Sequence, residues 1–383
     1  MPHLIHRVRH VTLSRIARKI LPAVAVSLAV LLALEIGFRL WHGVRVLETA
    51  NFALVPTDIF RARPWEVYDP LLGWRLPDYR AGPYWGGTMA TGELGVRMNS
   101  NSVEPVPRGA ILAVGDSFTV GFGVSDADSW PARLEKLLGR PVVNAGVAGW
   151  GVDQTILRAE SLVPILRPRS LIVGIFHQDV MRNTFEAFGK GYKPYFHVEN
   201  GQGELRGTPV PLEQPEYTDD AFRWFFGRSF VVHKLMLRWY GDEWLKERQP
   251  LFKRLYDDEK GLEISCYLMD RLVRLRDQYD VEILVLMQYD ADAYSQDTPP
   301  WAGPQVLACA EERGLATVDS WPLIKRIADS DPRLFRELWF VENMSLGHMS
   351  PKGNQLVAKL LRDAGRPLLG ARKPVKEHRI SRP

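Results

Sequence analysis

The longest apolar stretch lies close to the N-terminus, where Ile20 to Leu34 reads ILPAVAVSLAVLLAL and, after Glu35, apolar character resumes through Phe38. That is about the 20 residues a helix needs to cross a bilayer. Arg7, Arg9, Arg15, Arg18 and Lys19 precede the run. Cations on that side place the N-terminus in the cytoplasm and everything after Trp41 outside it, periplasmic or extracellular. A cleaved signal peptide would end its apolar core on small residues. Here the core runs into Glu35, Phe38, Arg39, Leu40 and Trp41, which reads as a retained interfacial anchor. Residues 1–41 are therefore expected to be a basic stub and a single transmembrane helix, with Glu35 at headgroup level.

From 42 to 109 no periodic run is sustained, and Pro, Gly, Trp and Tyr are frequent, which predicts an irregular membrane-proximal cap. At Ala110 the pattern changes. AILAV is a short continuous apolar run, as a fully buried parallel strand requires. Helix-like 130–138 follows, then PVVNAG as a strand, 154–166 as a helix and SLIVGIF as a strand. The rhythm returns in helix 261–279, strand 281–287, helix 304–313, strand 315–319 and a last helix from about Pro351. Such alternation predicts an α/β domain with a parallel sheet over 110–370. An aromatic-rich insertion interrupts it at 185–260, with a hairpin expected around Asn200 and Gly201. The basic tail 371–383 is expected to lack structure.

Composition narrows the picture. Of 383 residues, 46% are hydrophobic and 25% charged, the balance of a globular protein. The net charge of +4 sits largely at the two ends, so no nucleic-acid partner is expected. Cys266 and Cys309 lack metal-type spacing and fall in helix-like apolar stretches, which favours two separate buried thiols over a disulfide. Neither an HExxH motif nor a phosphate loop is present, so no metal and no cofactor is expected.

In an open parallel sheet, ligands bind beyond the carboxyl ends of the strands. Four groups of residues fall there. Gly115-Asp116-Ser117 follows the first strand and puts Ser117 where a turn hands over to a helix, whose free N–H groups favour an oxyanion. Asn144 to Gly149 follows the second, with glycines that allow close backbone approach. His177-Gln178-Asp179 follows the third, and His348 stands on a loop before the last helix. Each alone is more often a plain turn or cap; together, in this order, they point to catalysis.

GDSFTVGFGV and HMSPKG, with the glycine block between them, resemble the SGNH (GDSL-like) hydrolase family over residues 110–362. The resemblance implies a flavodoxin-like three-layer sandwich, Ser117 as nucleophile, His348 as general base, and backbone N–H groups of Ser117 and Gly149 in the oxyanion hole. The family's asparagine donor falls on Gln178, and its acid on Ser345. Glu342, six residues before His348, is a candidate replacement for that acid; a dyad held by a neutral oxygen is the alternative. Asp179 is a weaker candidate for the acid. Asp116 and Asn144 are expected to support the turn structurally.

The functions this implies are removal of acyl groups, first of all O-acetyl, from an envelope glycan or lipid, or O-acyl transfer to an exported polysaccharide. A catalytically weak envelope binding module is the third reading, and Gln178 and Ser345 are the departures that raise it. Tyr192, Tyr195, Phe196, Trp224 and Phe225 are aromatics that can stack on sugars, although core packing is their commoner use.

Overall fold

The computed structural model describes residues 2–42, 44, 46–47, 51–52, 65–100, 104–188, 191–212, 221–241, 244, 258–342 and 345–369, leaving aside the side chains of 2–20, 258, 341–342, 345–346 and 366–367. The basic tail expected at 371–383 lies outside the described residues. The chain forms two compact units, Met1–Arg63 with Gln214–Arg254, and Pro64–Glu213 with Leu255–Pro383.

In chain order the helices are α1 (Pro2–Trp41), α2 (Ser117–Val120), α3 (Trp130–Leu138), α4 (Val152–Leu166), α5 (Asp179–Arg182), α6 (Ala221–Phe226), α7 (Phe230–Tyr240), α8 (Asp258–Tyr279), α9 (Ala302–Glu312), α10 (Trp321–Ser330), α11 (Pro332–Glu337), α12 (Pro351–Ala364) and α13 (Arg366–Leu369). The strands open with two hairpins, β1 (Val67–Asp69) with β2 (Gly73–Arg75) and β3 (Ala81–Tyr84) with β4 (Gly87–Ala90). Then come β5 (Ile111–Val114), β6 (Val142–Asn144), β7 (Ser170–Phe176), the short pair β8 (Ala187–Phe188) and β9 (Gly191–Tyr192), and the hairpin β10 (Tyr195–Glu199) with β11 (Gln202–Arg206). Last are β12 (Glu282–Gln288), β13 (Ala316–Asp319), and the hairpin β14 (Trp339–Glu342) with β15 (Ser345–Met349).

The larger unit is built on a five-stranded sheet of order β13-β12-β7-β5-β6, parallel throughout. Every residue of β5 and β7 is buried, which is why both read as unbroken apolar runs. Two helical groups flank the sheet, α4, α8 and α9 in one and α3 with α12 in the other. Between the adjacent β5 and β7 the strand order reverses, and ligands in such sheets bind at that crevice. Asn200 and Gly201, both with positive φ, turn the β10–β11 hairpin at the position expected.

Within the stretch expected to be an irregular cap, Trp74, Leu76, Met89 and Val96 belong to the same buried cluster as β5 and β7. Their short hairpins carry no long periodic pattern, so only tertiary packing places them. Cys266 and Cys309 are not separate thiols but a disulfide, with Cα atoms 5.4 Å apart, stapling α8 to α9. Both helices turn an apolar face to the sheet, and the cysteines meet at the seam between them.

In the smaller unit, Leu21–Trp41 of α1 spans 21 residues with mean hydropathy 2.2, long and apolar enough to cross a membrane. Within this unit Glu35 is held by several neighbours. Its carboxylate accepts from Arg39 Nε at 2.6 Å, the Ser229 hydroxyl at 2.7 Å, and the backbone N–H groups of Phe230 and Val231 at 2.7 and 3.1 Å, so it caps α7.

Candidate active site

β5 delivers its chain into Gly115-Asp116, and Asp116 caps α2 by accepting the Phe118 N–H at 2.9 Å on Oδ1. Ser117 is therefore the first helical residue, at the carboxyl edge of the sheet. Gly121, with φ of 81°, ends the helix after one turn. Its last carbonyls are not left to water. The buried guanidinium of Arg97 donates to Val120 O and Gly121 O at 2.7 Å each, to Val124 O at 2.7 Å, and to Asp126 Oδ1 at 2.9 Å. Arg97 also passes its backbone N–H to Asn144 O at 2.7 Å, joining the Ser117 turn to the neighbouring strand end.

His348 stands on β15, 231 residues from Ser117, with Nε2 at 3.0 Å from Ser117 Oγ. Its ring packs on Phe122 with centroids 4.5 Å apart and on Phe118 at 5.5 Å. Immediately after it, Ser350 caps α12 by accepting Lys352 and Gly353 N–H, and Asn354 fastens that turn to α3 by accepting Trp130 N–H at 3.0 Å. The histidine is thus held from both sides. Ser117 Oγ also lies 3.1 Å from Asp116 Oδ2. A hydroxyl has one proton. Donated to Asp116, it leaves His348 as donor to Oγ; donated to Nε2, it makes the serine ready to attack.

Ser117 N–H and Gly149 N–H have no acceptor among the described residues. Asn144 holds the loop between them: its Oδ1 accepts Gly146 N–H at 3.2 Å and its Nδ2 donates to Val120 O at 3.3 Å. Gly146 is needed there, since a Cβ would sit 2.5 Å from Val120 N.

Gln178 is exposed, and its amide donates to Asp290 Oδ2 at 2.8 Å. His177 Nε2 lies 3.2 Å from the same oxygen, and Ala293 N–H donates to Oδ1 at 2.9 Å. Burial alone would raise the Asp290 pKa, but hydrogen bonds from His177, Ala293 and Gln178 hold it below its ordinary value. The Gln178 carboxamide, expected as an oxyanion donor, is thus bound to a carboxylate. Asp179 is wholly buried, accepts Phe176 N–H at 3.0 Å and pairs with Arg182. Burial, then the neighbouring Asp116, push its carboxyl well above the ordinary range, with Arg182 opposing. Nothing brings it to His348. The backbones of Glu342 and Ser345 face each other across the β14–β15 hairpin, while their side chains lie outside the described residues.

Three residues escaped the sequence reading: Arg97, Arg182 and Asp290. Arg182 had a local signal, a cation three residues after the strand-end Asp179 on one short helix. Arg97 and Asp290 act across long separations and carry none. A cleft of about 680 Å³, walled by Trp85, Phe122, Phe340 and Pro351, opens onto His348. No group of three His, Cys, Asp or Glu side chains suited to a metal occurs among the described residues.

No family model and no curated protein matches the chain. Solved structures do. A G-D-S-L family protein from Desulfitobacterium hafniense is 14% identical, with 67% of this chain and 99% of that one covered and a TM-score of 0.35. A catalytic mutant of an acetylxylan esterase from Geobacillus stearothermophilus is 17% identical, covers 68% and 97%, and has a TM-score of 0.39. An α/β hydrolase from the metagenome of Lake Arreo, Spain, is 16% identical, covers 69% and 98%, and also scores 0.39. With TM-scores below 0.5, the chemistry of this chain rests on its own side chains.

Proposed function

We propose that the chain is a serine-dependent ester hydrolase that removes acyl groups, first of all O-acetyl, from a glycan or lipid outside the cytoplasm, held to the membrane by α1. The observation that carries this reading is the 3.0 Å approach of His348 Nε2 to Ser117 Oγ at the end of β5. Beside it stand two backbone N–H groups without acceptors among the described residues. His348 takes the Ser117 proton as Oγ attacks the ester carbonyl. Ser117 N–H and Gly149 N–H hold the tetrahedral oxyanion, a contribution of roughly 10²–10³ in rate for each donor. Collapse expels the alcohol, to which His348 returns the proton. Water, deprotonated by the same imidazole, then releases the acid and restores Ser117. A disulfide between Cys266 and Cys309 supports an oxidising compartment, as an extracytoplasmic domain requires.

The test is turnover of aryl acetate against longer aryl esters by the detergent-solubilised full chain. Acetate should be preferred, and both Ser117→Ala and His348→Ala should lose roughly 10³-fold or more in kcat. Turnover that survives Ser117→Ala would refute the reading.

A further inference from the structure

We infer that Trp85 and Phe122 form a ledge on which an uncharged pyranose ring of an acylated glycan stacks while its ester reaches Ser117. This rests on the reading of Ser117 and His348 as the reacting pair, and it selects the glycan over the lipid as substrate class. Trp85 stands at the tip of the β3–β4 hairpin, ahead of residues 110–362, over which the family resemblance runs. Tyr84 pairs with Gly87, so Trp85 and Gly86 make a two-residue turn, with φ of 46° and 104°. Positive φ at both positions is the geometry that Asn-Gly favours, and a bulky side chain at the first of them is strained. Burial does not offset that cost, because Trp85 remains 65% exposed. An exposed ring kept in a strained turn at the edge of a cleft points to a ligand.

The hairpin tip is fastened to the loop that follows α2. Thr88 N–H donates to Ser125 Oγ at 3.2 Å, and Thr88 O accepts from Arg97 Nη2 at 3.1 Å. Gly87 lies so close to that loop that a Cβ would sit 2.4 Å from Val124 C. Trp85 is thereby set against Phe122, with ring centroids 5.2 Å apart and planes 30° apart, and Phe122 against His348 at 4.5 Å. The three rings run in contact along the cleft of about 680 Å³, whose lining also includes Phe340, Ser125 and Asp128. A pyranose has an apolar C–H face and an edge of hydroxyls. The aromatic rings suit the face. Asp128 and Ser125 Oγ, whose proton has no acceptor among the described residues, suit the hydroxyls. An acyl chain would leave those polar groups without partners. Charge selects further. Among the described residues that line the cleft there is no Lys or Arg, and Asp128 pairs with Arg133. An anionic headgroup or an acidic sugar would meet no lysine or arginine on that lining, so a neutral ring fits it best.

The test measures kcat/KM of the detergent-solubilised full chain on randomly acetylated cellotriose, glycerol triacetate and glycerol trioctanoate. Trp85→Asn removes the indole and installs the residue that such a turn prefers, so its urea midpoint should be no lower than that of the unaltered chain. Its preference for acetylated cellotriose over glycerol triacetate should fall about tenfold, through KM rather than kcat, and Trp85→Phe should keep most of that preference. A preference unchanged in Trp85→Asn, or one that falls together with the urea midpoint, would overturn the ledge. Loss of trioctanoate turnover with the sugar preference kept would assign the ring to an acyl chain and overturn it as well. If the unaltered chain turns over glycerol triacetate but not acetylated cellotriose, the glycan assignment fails and the hydrolase reading stands. Turnover of neither would remove that reading and this one with it.

Discussion

Arg182 stands 3.5 Å from Asp116, the residue that both caps α2 and accepts from the Ser117 hydroxyl. The same Nη1 donates to Trp150 O at 2.8 Å, next to Gly149. One buried cation from the turn after β7 therefore ties the Ser117 turn to the loop that carries Gly149.

Removing that cation leaves Asp116 and Asp179 buried without their counter-charge. Arg182→Met should cost about 3–5 kcal/mol of stability, measured by urea unfolding. A change within about 0.5 kcal/mol, the usual range for a surface substitution, would show that the pairing is incidental.

Lys193 and Asp153 make a second buried pair, with both side chains fully out of solvent. Lys193 also donates to Pro194 O at 2.8 Å. Lys193→Met alone should destabilise by about 3–5 kcal/mol, because Asp153 keeps its burial and loses its partner. Adding Asp153→Leu should recover most of that loss. A double variant no better than the single one would mean that shape, not charge, sets the cost.

Much of the sheet was legible because buried parallel strands must be apolar on both faces, as 111–114 and 170–176 are. The meeting of Ser117 and His348 was legible because ligand-facing residues in such sheets gather at strand ends, and the fold brings these two within hydrogen-bond reach. What stayed hidden depends on which surfaces meet. Nothing local in Arg97 announces that it will close off α2 from 20 or more residues away, and Gln178 gives no hint that Asp290 will hold its amide. The disulfide needed the α8–α9 seam, and the partnership of Glu35 with α7 needed a contact across 195 residues.

The Cys266–Cys309 bridge closes a loop of 43 residues. In the chain-entropy treatment a loop of that size stabilises the fold by about 4 kcal/mol. Reduction, or Cys266→Ala with Cys309→Ala, should lower the denaturant midpoint accordingly. Free-thiol titration of the unreduced protein that finds both cysteines reactive would contradict the bridge.

Asp290 supplies a pH dependence. Its folded pKa lies below the ordinary 3.8, so its contribution is present above that value and lost as pH falls through the lower, folded one. Asp290→Asn should weaken the fold at neutral pH and flatten the loss of stability below about pH 4. Parallel acid-unfolding curves for the two proteins would sink this assignment.

The proposed hydrolysis requires Ser117 to be a nucleophile armed by His348. Mass spectrometry of the full chain after reaction with a fluorophosphonate reads this directly, since the probe forms a covalent bond only with an activated serine. A stoichiometric adduct is expected on Ser117, absent in Ser117→Ala and formed on the order of 10³-fold more slowly in His348→Ala. An adduct on another residue, or labelling that persists in Ser117→Ala, would contradict it.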